Sequence, residues 1–261
     1  MRSAFRLVDP SPRTPLPRPA LRDPAVLERL RAAIRRIEGV GPGWSGGGAA
    51  VLRLGLDEID RHLPWGGLPA GALHEIVAAD SAMAGTASAF SAHLAALSGD
   101  GPVLWCEGGR ILDSGALHPP GLRRFGLDPG RLVLARTDGD AETLWAMEDG
   151  LRCGALAAVV GALAAVSLTE SRRLQHAAAS SGVTALMLRP AGAAAVPNAA
   201  ATRWRVAAAP RAAGPGWRLE MFRCRGGPPG DWQVEWRDET RGLAMAAAFR
   251  DRQAAPERRA G

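Results

Sequence analysis

Residues 73–90 (LHEIVAADSAMAGTASAF) contain the residue types and the order of elements from which a phosphate-binding loop is built. An apolar strand comes first, a loop of small residues follows, and an alanine-rich helix extends to about Ser98. In such a loop the amides at the helix N-terminus hold phosphate oxygens, and a lysine reaches the outer phosphates. The sequence therefore predicts the frame of a nucleotide site at this position.

The chemical groups of that site are missing from the frame. The pattern GxxxxGK[ST] needs a first glycine near Ala78 or Ala79 and a lysine at about Ala84, and only Gly85 and Thr86 are recognisable. All 32 Lys and Arg residues of the chain are arginine, so no local realignment supplies the lysine. We therefore expect no bound nucleotide at the residues that remain of the loop, which are Ala78, Asp80, Ser81, Ala84, Gly85 and Thr86.

Charge is unevenly distributed along the 261 residues. Residues 1–40 contain nine arginines and four acidic residues, residues 241–261 contain five and two, and the stretch between them is close to neutral. Basic ends attract a nucleic-acid backbone or an acidic partner over long range, and they are also typical of solvated tails. Both interpretations stay open, and any DNA contact is expected to be weak or indirect.

Cysteine and histidine usage excludes several classes of site. The three cysteines, Cys106, Cys153 and Cys224, lie far apart, which argues against a disulfide framework and suits a reducing cytoplasm. Neither the cysteines nor the five scattered histidines have the spacing of metal ligands, so no metal site is expected. The N-terminal segment lacks the apolar core of a secretory signal, and the apolar run at 153–169 is short for a membrane span. We therefore expect a cytoplasmic protein.

Composition divides the chain into five segments. Asp23 and Pro24 form the capped start of a helix, which a glycine-rich stretch follows. The predicted order is a disordered basic segment (1–22), a helical arm (23–38), a glycine-rich linker (39–50), a core domain (51–247) and a basic tail (248–261).

The arm has an apolar stripe at helical spacing with arginines on its other face. One interpretation is a surface helix that packs on its own core, and the other is an arm that docks on a neighbouring molecule. The residues that would make this protein contact are Leu27, Leu30, Ile34 and Ile37.

The core domain alternates strand and helix patterns, which predicts an α/β fold with a mostly parallel sheet flanked by helices. Strands are predicted at 73–78, 102–107, 131–136, 155–160 and 183–189, and helices at 140–152 and 168–180. The stretches TRWRVAAA, GWRLEMFRCRG and DWQVEWRD then predict consecutive antiparallel strands at the C-terminal end. Ligands of such folds sit at the carboxyl ends of the parallel strands, where residues 79–86 and 107–113 would lie.

The order of these pieces resembles the RecA recombinase core. The similarity lies in GGLPAG, the strand with Glu75, the loop and helix that follow it, and a strand that leads into ILDSGAL. Within that superfamily the chain resembles the ImuA family over about residues 50–245, and GGLPAG and WRLEMFRCRGGPPGDWQVEW are the most specific pieces. The resemblance implies a RecA-like accessory protein of SOS mutagenesis and translesion synthesis, associated with the nucleoid.

The catalytic residues of RecA do not carry over onto this chain. The Walker A lysine position falls at about Ala84, the Walker B aspartate position at Gly161, and the catalytic glutamate position at Gly109, with Glu107 nearby. A P-loop ATPase needs these groups to hold its metal ion and to position water. The resemblance therefore implies a protein that is not an enzyme and has no cofactor, and a divergent ATPase with a substitute arginine is the alternative.

The resemblance also implies partners. They would be an ImuB-like inactive relative of Y-family polymerases and an error-prone C-family DNA polymerase, with RecA as a further candidate. A cell-division inhibitor of the SulA type is a second reading, which the longer chain and fuller α/β core disfavour. A different hydrolase is disfavoured because the chain has no GxSxG elbow between a strand and a helix (the match at residues 43–47 lies in the glycine-rich linker), no HExxH and no tyrosine.

Aromatic residues alternate with polar ones in the C-terminal strands. Arg218, Trp232 and Trp236 are candidate DNA contacts, because bases stack on aromatic side chains of sheets. Alternation in a half-buried antiparallel sheet produces the same spacing, and this interpretation is favoured.

Overall fold

The computed structural model describes residues 50–108, 117–209 and 215–246. All of them belong to one unit of the chain, residues 45–261, and the other unit, residues 1–44, contains no described residue. The predicted disordered segment, the arm with its four apolar residues, nearly all of the linker, Gly109 and the basic tail therefore lie outside the described residues.

The helices and strands alternate along most of the core. The strands are β1 (Val51–Leu52), β2 (Leu68–Pro69), β3 (Leu73–Ala78), β4 (Val103–Gly108), β5 (Leu132–Thr137), β6 (Ala158–Ala162), β7 (Thr184–Arg189), β8 (Thr202–Ala208), β9 (Gly216–Cys224), β10 (Gly230–Arg237) and β11 (Gly242–Met245). The α-helices are α1 (Asp57–His62), α2 (Ala84–Leu97), α3 (Pro119–Leu122), α4 (Asp140–Cys153) and α5 (Leu168–Ser181).

Nine of the described strands form one mixed sheet with the order β11-β10-β9-β8-β3-β7-β6-β4-β5. The six strands from β8 to β5 in this order run parallel, and β9, β10 and β11 continue the sheet in antiparallel pairs. This arrangement confirms the predicted α/β class with antiparallel strands at the C-terminal end.

Helices cover the two faces of the sheet unequally. On one face α2 packs through Phe90 and Leu94, and the Phe90 ring lies 5.9 Å from that of Trp204 on β8. On the other face α4 and α5 pack through Met147 and Leu174. Burial of one such large side chain stabilises the fold by about 1.5–3 kcal/mol. The central strands are buried on both faces, which explains their continuous apolar sequences.

The corner GGLPAG needs glycine at two positions. Gly67 has φ +154°, and a Cβ there would lie 2.6 Å from the carbonyl oxygen of Leu52 in β1. Gly71 has φ +64°, and a Cβ there would lie 3.0 Å from Cα of Gly182, which caps α5. A side chain at either position would be strained and would push neighbouring backbone away. These two residues therefore set how the chain enters β3.

Three strands show where the predicted boundaries agree with the structure and where they do not. β3 has the predicted bounds, whereas β6 begins at Ala158 rather than at residue 155, because the chain at Ala157 still bonds to Pro102 outside the ladder. The predicted Walker B position, Gly161, therefore lies inside β6 and does not follow its end. β11 was not predicted, because its four residues contain only one large buried side chain, Leu243.

Candidate functional site

The turn between β3 and α2 is short and already hydrogen bonded. Asp80 caps a 3₁₀ turn at Ser81–Met83 that leads directly into α2, and its Oδ1 accepts from the Met83 amide at 3.1 Å. The Ala79 amide donates to the Val206 carbonyl oxygen at 3.0 Å. These two amides are therefore used within the protein, and a carboxylate occupies the turn in which a phosphate-binding loop would hold an anion.

The glycine that remains of the motif has no special backbone role. Gly85 lies in the first turn of α2 without a positive φ, and a Cβ added to it would have no heavy atom of the described residues within 4 Å. Thr86 is half-buried on the next position of the same helix. A phosphate-binding loop uses glycine where the backbone must approach the phosphate closely, and this turn places no such demand on Gly85.

The last two residues of β6 have no metal-binding side chain, and the nearby carboxylate of Asp140 accepts from the Ala164 and Ala165 amides at 2.8 and 2.6 Å. Gly161 faces α4, where a Cβ would lie 2.1 Å from Sδ of Met147. Ala162 belongs to the core layer on the α2 side, which is the side of the β3–α2 turn. The position that would face a bound nucleotide is therefore an alanine, and the predicted aspartate position is filled by a neighbouring methionine.

Glu107 is the remaining carboxylate near the predicted catalytic position. It lies on β4, and its Oε1 accepts from the Leu117 amide at 2.7 Å. Its backbone oxygen accepts from the Thr137 hydroxyl at 3.0 Å. Glu107 thus connects the end of β4 to the start of the segment before α3.

A buried charge network lies under the connection from β7 to β8. Glu75 is fully buried on β3, and its Oε1 accepts from Asn198 Nδ2 at 2.8 Å while its Oε2 accepts from Arg203 Nε on β8. Arg189, at the end of β7, lies 3.7 Å from Glu75 Oε1, and its Nη1 donates to the Leu163 carbonyl oxygen at 3.1 Å. One buried carboxylate therefore faces two buried guanidinium groups.

This network replaces a crossover helix. Parallel strands are usually connected through an α-helix whose apolar face covers the sheet, but residues 190–201 contain only a 3₁₀ turn at Ala193–Ala195. Arg203 Nη2 donates to the carbonyl oxygens of Val196 and Ala194 at 2.8 and 3.2 Å, and Asn198 binds Glu75. The side chains of the sheet thus hold the connection by hydrogen bonds, in addition to the burial of its own Ala193, Ala200 and Ala201.

Sequence reasoning missed this network. Its signal was present, because Glu75, Arg189 and Arg203 are charged residues within otherwise apolar strands, a pattern that indicates paired burial. The pairing itself depends on the register that places Glu75 opposite Arg203 in neighbouring parallel strands.

A second polar chain crosses the α2 side of the sheet. Trp204 Nε1 donates to the Thr202 hydroxyl at 2.8 Å, and the distance from that hydroxyl to His74 Nδ1 is also 2.8 Å. His74 Nε2 lies 3.0 Å from the Pro69 carbonyl oxygen and must donate to it. The neutral tautomer protonated at Nε2 satisfies every group, and burial lowers the pKa of His74 to about 4.

The second buried histidine is His93 on α2. Its Nε2 has no hydrogen-bond partner among the described residues, and its ring meets that of Trp236 edge-on at 5.1 Å. Burial lowers the pKa of His93 to about 4, although the backbone of Phe125 partly opposes this shift.

We expect the two histidines to make stability depend on pH between 6.5 and 4. Both folded-state pKa values lie below the ordinary value of 6.5, so the unfolded chain binds more protons and the free energy of unfolding falls as pH falls. A shift of this size corresponds to about 3 kcal/mol per histidine. Urea unfolding measures the free energy of unfolding at pH 7 and at pH 4. Between these two pH values, His93→Phe should lose about 3 kcal/mol less of this free energy than the unaltered chain. Equal losses would contradict the neutral state of His93.

The candidate DNA contacts lie in different environments. Trp236 is 3% exposed and packs against Phe125 and Trp217 on the α2 side. Trp232 is half-buried against His62 and Trp204. Arg218 lies on the opposite face, where Asp231 accepts two hydrogen bonds from its Nε and one from its Nη2. A base cannot stack on Trp236 unless the core opens, which favours the interpretation of a half-buried sheet.

The described residues contain no helix long and apolar enough to cross a membrane. They also contain no group of three or more His, Cys, Asp or Glu residues placed to hold a metal ion.

The parallel sheet, the strand–turn–helix of residues 73–97 and the antiparallel extension define an α/β protein with a RecA-like fold. No family model matches the chain. The chain is 34% identical over 214 residues to Protein ImuA of Caulobacter vibrioides, both in strain NA1000 / CB15N and in strain ATCC 19089 / CIP 103742 / CB 15. These alignments cover 74% of this chain and 86% of each relative. The chain belongs to the ImuA family.

Proposed function

We propose that this protein is a non-catalytic accessory protein of DNA-damage-induced mutagenesis, which acts in translesion synthesis through protein–protein contacts. Family membership supports the link to mutagenesis. The single observation that carries the non-catalytic part is the turn after β3, where the carboxylate of Asp80 and the amide of Met83 bind each other. A nucleotide phosphate would have to replace that carboxylate.

Three further features support a pseudo-ATPase. The chain has no lysine to reach the outer phosphates. The end of β6 offers Gly161 and Ala162, neither of which can hold Mg²⁺. The Glu107 carboxylate bonds to the Leu117 amide. Phosphoryl transfer depends on positioned cations and on a residue that orients the attacking water. Loss of these groups at separate elements favours a scaffold over a divergent ATPase.

We expect the protein not to bind ATP at physiological concentrations. The reasons are the missing lysine and the negative charge at Asp80, which repels phosphate. Equilibrium binding of labelled ATP with Mg²⁺ checks this, and a dissociation constant in the micromolar range would contradict the proposal. Ala84→Lys should not create turnover, because the Walker B position Gly161 and the catalytic glutamate position Gly109 would still lack their acidic residues.

The partners proposed for this scaffold are an ImuB-like inactive Y-family polymerase relative and an error-prone C-family polymerase, with RecA as a further candidate. The arm at 23–38 is the proposed site of the protein contact. Any DNA contact is proposed to be weak or indirect and to involve the basic ends of the chain. An arm behind a glycine-rich linker can reach a neighbour while the core stays fixed.

The arm gives a direct prediction. Leu30→Asp combined with Ile34→Asp places two charges on its apolar stripe, and we expect a loss of several kcal/mol of partner binding with little change in core stability. Titration of the ImuB-like partner by calorimetry and thermal unfolding of the free chain separate the two effects. Unfolding of the double variant would show that the helix packs on its own core. Unchanged binding would show that the contact lies elsewhere.

The function as a whole is tested in cells of the encoding organism. Deletion of the gene should reduce mutation after ultraviolet damage. Thr86→Ala and Asp80→Asn should restore mutagenesis fully, because no phosphate chemistry takes place at the turn. Failure of both variants to complement, at normal protein level, would indicate that the turn is catalytic.

A further inference from the structure

A groove runs between the outer surfaces of α4 and α5. It consists of two cavities that share Glu148 of α4 and Arg173 of α5 as lining residues. Glu148 is almost fully buried and accepts one hydrogen bond on each carboxylate oxygen, from Arg173 across the groove and from Arg152 one turn further along α4. The ion pair between Glu148 and Arg173 therefore crosses the groove and divides it into two subsites.

The first subsite, called the apolar subsite, is lined by four apolar residues besides the charged Glu148, Glu170 and Arg173. It is a cavity of about 280 Å³ at the N-terminal ends of both helices, large enough for one aromatic or branched side chain, and its apolar lining is formed by Ala141, Leu144, Trp145 and Leu174. Trp145 is 65% exposed, the highest value among the exposed large hydrophobic residues that the structure describes. Exposed tryptophans beside a pocket are typical of the residues that dominate binding energy in protein interfaces.

The second subsite is basic. It is a cavity of about 460 Å³ towards the C-terminal ends of the helices, lined by Arg152, Arg173, His176 and Ser180 together with Glu148. Each guanidinium group has five N–H donors, and each uses one of them on Glu148. Two cations against one carboxylate leave a net positive charge, so this subsite is complementary to a carboxylate.

The carboxylate of Glu170 partly offsets the charge of Arg173 but lines no part of the subsite that contains Arg152. Glu170 lines only the apolar subsite, and its Oε2 accepts from the Ser167 amide at 2.7 Å in the capping box of α5. Hydrogen bonds from Ser167 and, to a smaller extent, the charge of Arg173 hold the pKa of Glu170 below its usual value. Its carboxylate is thus committed to the start of α5, away from Arg152.

We propose that this groove binds a peptide segment of a partner protein, which inserts a large apolar side chain beside Trp145 and places a carboxylate against Arg152 and His176. The proposal rests on the proposed function, since it names the chemistry of a partner of that scaffold. Trp145 and Arg152 are seven residues apart on α4, or roughly 10 Å. A helical ligand would therefore carry its acidic residue about seven positions from the apolar anchor, and an extended ligand about three.

The test uses the full-length chain as bait for a phage library of random sixteen-residue peptides, followed by affinity measurement with the enriched peptides. Enriched sequences should combine Phe, Trp, Leu or Met with Asp or Glu at one of the two spacings. Trp145→Ala should weaken binding at least tenfold. Arg152→Ala should weaken it about threefold or more and reduce its dependence on salt. Trp145 is largely exposed, so Trp145→Ala should leave thermal unfolding unchanged. Arg152→Ala leaves one oxygen of the buried Glu148 carboxylate without its donor, so its thermal unfolding is measured first and affinities are compared at a temperature at which every chain is folded.

Val133→Ala is the matched control. Val133 is an exposed apolar residue, 50% accessible, on the edge strand β5, and its removal should leave peptide affinity unchanged. Loss of binding in this variant but not in Trp145→Ala would overturn the proposal in favour of the sheet edge. Failure to enrich any peptide would overturn it, and so would a concentration-dependent dimer that Trp145→Ala dissociates, since a second copy would then occupy the groove.

Cellular mutagenesis separates this proposal from the function on which it rests. If gene deletion lowers damage-induced mutation and Trp145→Ala does not, the groove assignment is wrong and the accessory function stands. If deletion itself has no effect, the accessory function is wrong, whatever peptides the groove selects. We expect both gene deletion and Trp145→Ala to lower damage-induced mutation. Cells with Val133→Ala should mutate as often as cells with the unaltered chain.

Discussion

Restoring the missing aspartate with Gly161→Asp should destabilise the protein by about 3–5 kcal/mol rather than prepare it for catalysis. A Cβ at this position would lie 2.1 Å from Sδ and 2.7 Å from Cγ of Met147, a fully buried residue of α4. The new carboxylate would also enter an apolar core layer that includes Val159 and Leu151. Overpacking costs about 1–3 kcal/mol, and burial of a charge adds to this.

Two further variants separate the causes. Gly161→Ala adds only the Cβ and should cost about 1–3 kcal/mol. Met147→Ala should relieve the clash, so that the double variant with Gly161→Asp is more stable than the sum of the two single losses predicts. Urea unfolding measures all four chains. A loss below about 1 kcal/mol for Gly161→Asp, or any binding of ATP with Mg²⁺, would show that β6 still accommodates the acidic residue.

This packing gives the pseudo-ATPase proposal a structural reason. A single substitution at the turn or at β6 cannot rebuild the nucleotide site, because the space for one group is filled by Met147 and the place of the phosphate by Asp80. Under this proposal, ATP binding would need simultaneous changes at the turn and at β6.

The sequence predicted the fold well because its signals are local. Buried parallel strands such as β3 are continuous apolar runs, and the glycine corner at 66–71 marks where the chain enters the sheet. The start of β6 was placed three residues early, since Ala and Leu before Ala158 continue the same apolar pattern without joining the ladder. Apolar runs alone do not define where pairing begins.

The candidate site was only partly predictable. The turn after β3 could be found from its order of elements, but Asp80 as an internal cap depends on the geometry of the turn. For Trp236, the sequence predicted an exposed side chain as one possibility and a buried one as the other. Alternation in a strand specifies which residues share a face, but it does not specify which face is covered by other elements. α2 covers that face, and Trp236 is therefore part of the core.

The groove between α4 and α5 was not predicted at all. Trp145 lies in a helix whose pattern is ordinary, and its exposure depends on how α5 packs beside α4. The buried network around Glu75 is similar in this respect, since Glu75 and Arg203 are 128 positions apart. Contacts over such separations follow from strand order, which one sequence does not supply.

The second large effect is expected at this network. Glu75→Gln keeps the shape of the side chain but removes the only carboxylate that Arg189 and Arg203 share in the described core. Arg203 would then stay buried without its carboxylate partner, and Arg189 would keep only the weaker attraction of Asp140. Removal of one partner of a buried pair costs about 3–5 kcal/mol. We therefore expect a loss of this size in the free energy of unfolding.

An exposed pair on neighbouring strands is the control. Arg205 Nη1 lies 2.6 Å from Glu220 Oε2 between β8 and β9, where solvent reaches both side chains. Glu220→Gln should cost about 1 kcal/mol or less, because water screens and solvates the remaining charge. Equal losses for the two variants would show that burial does not determine the strength of the Glu75 network.

The variant Glu75→Gln should also loosen the connection from β7 to β8. Asn198 donates to Glu75 and in turn accepts from the Ala200 amide at 3.0 Å, so release of Asn198 exposes that amide to solvent. Hydrogen exchange at Ala200 should accelerate in Glu75→Gln more than exchange in β6, because the segment opens locally before the sheet unfolds. Unchanged protection at Ala200 would mean that apolar packing, and not the charge network, holds this helix-free crossover against the sheet.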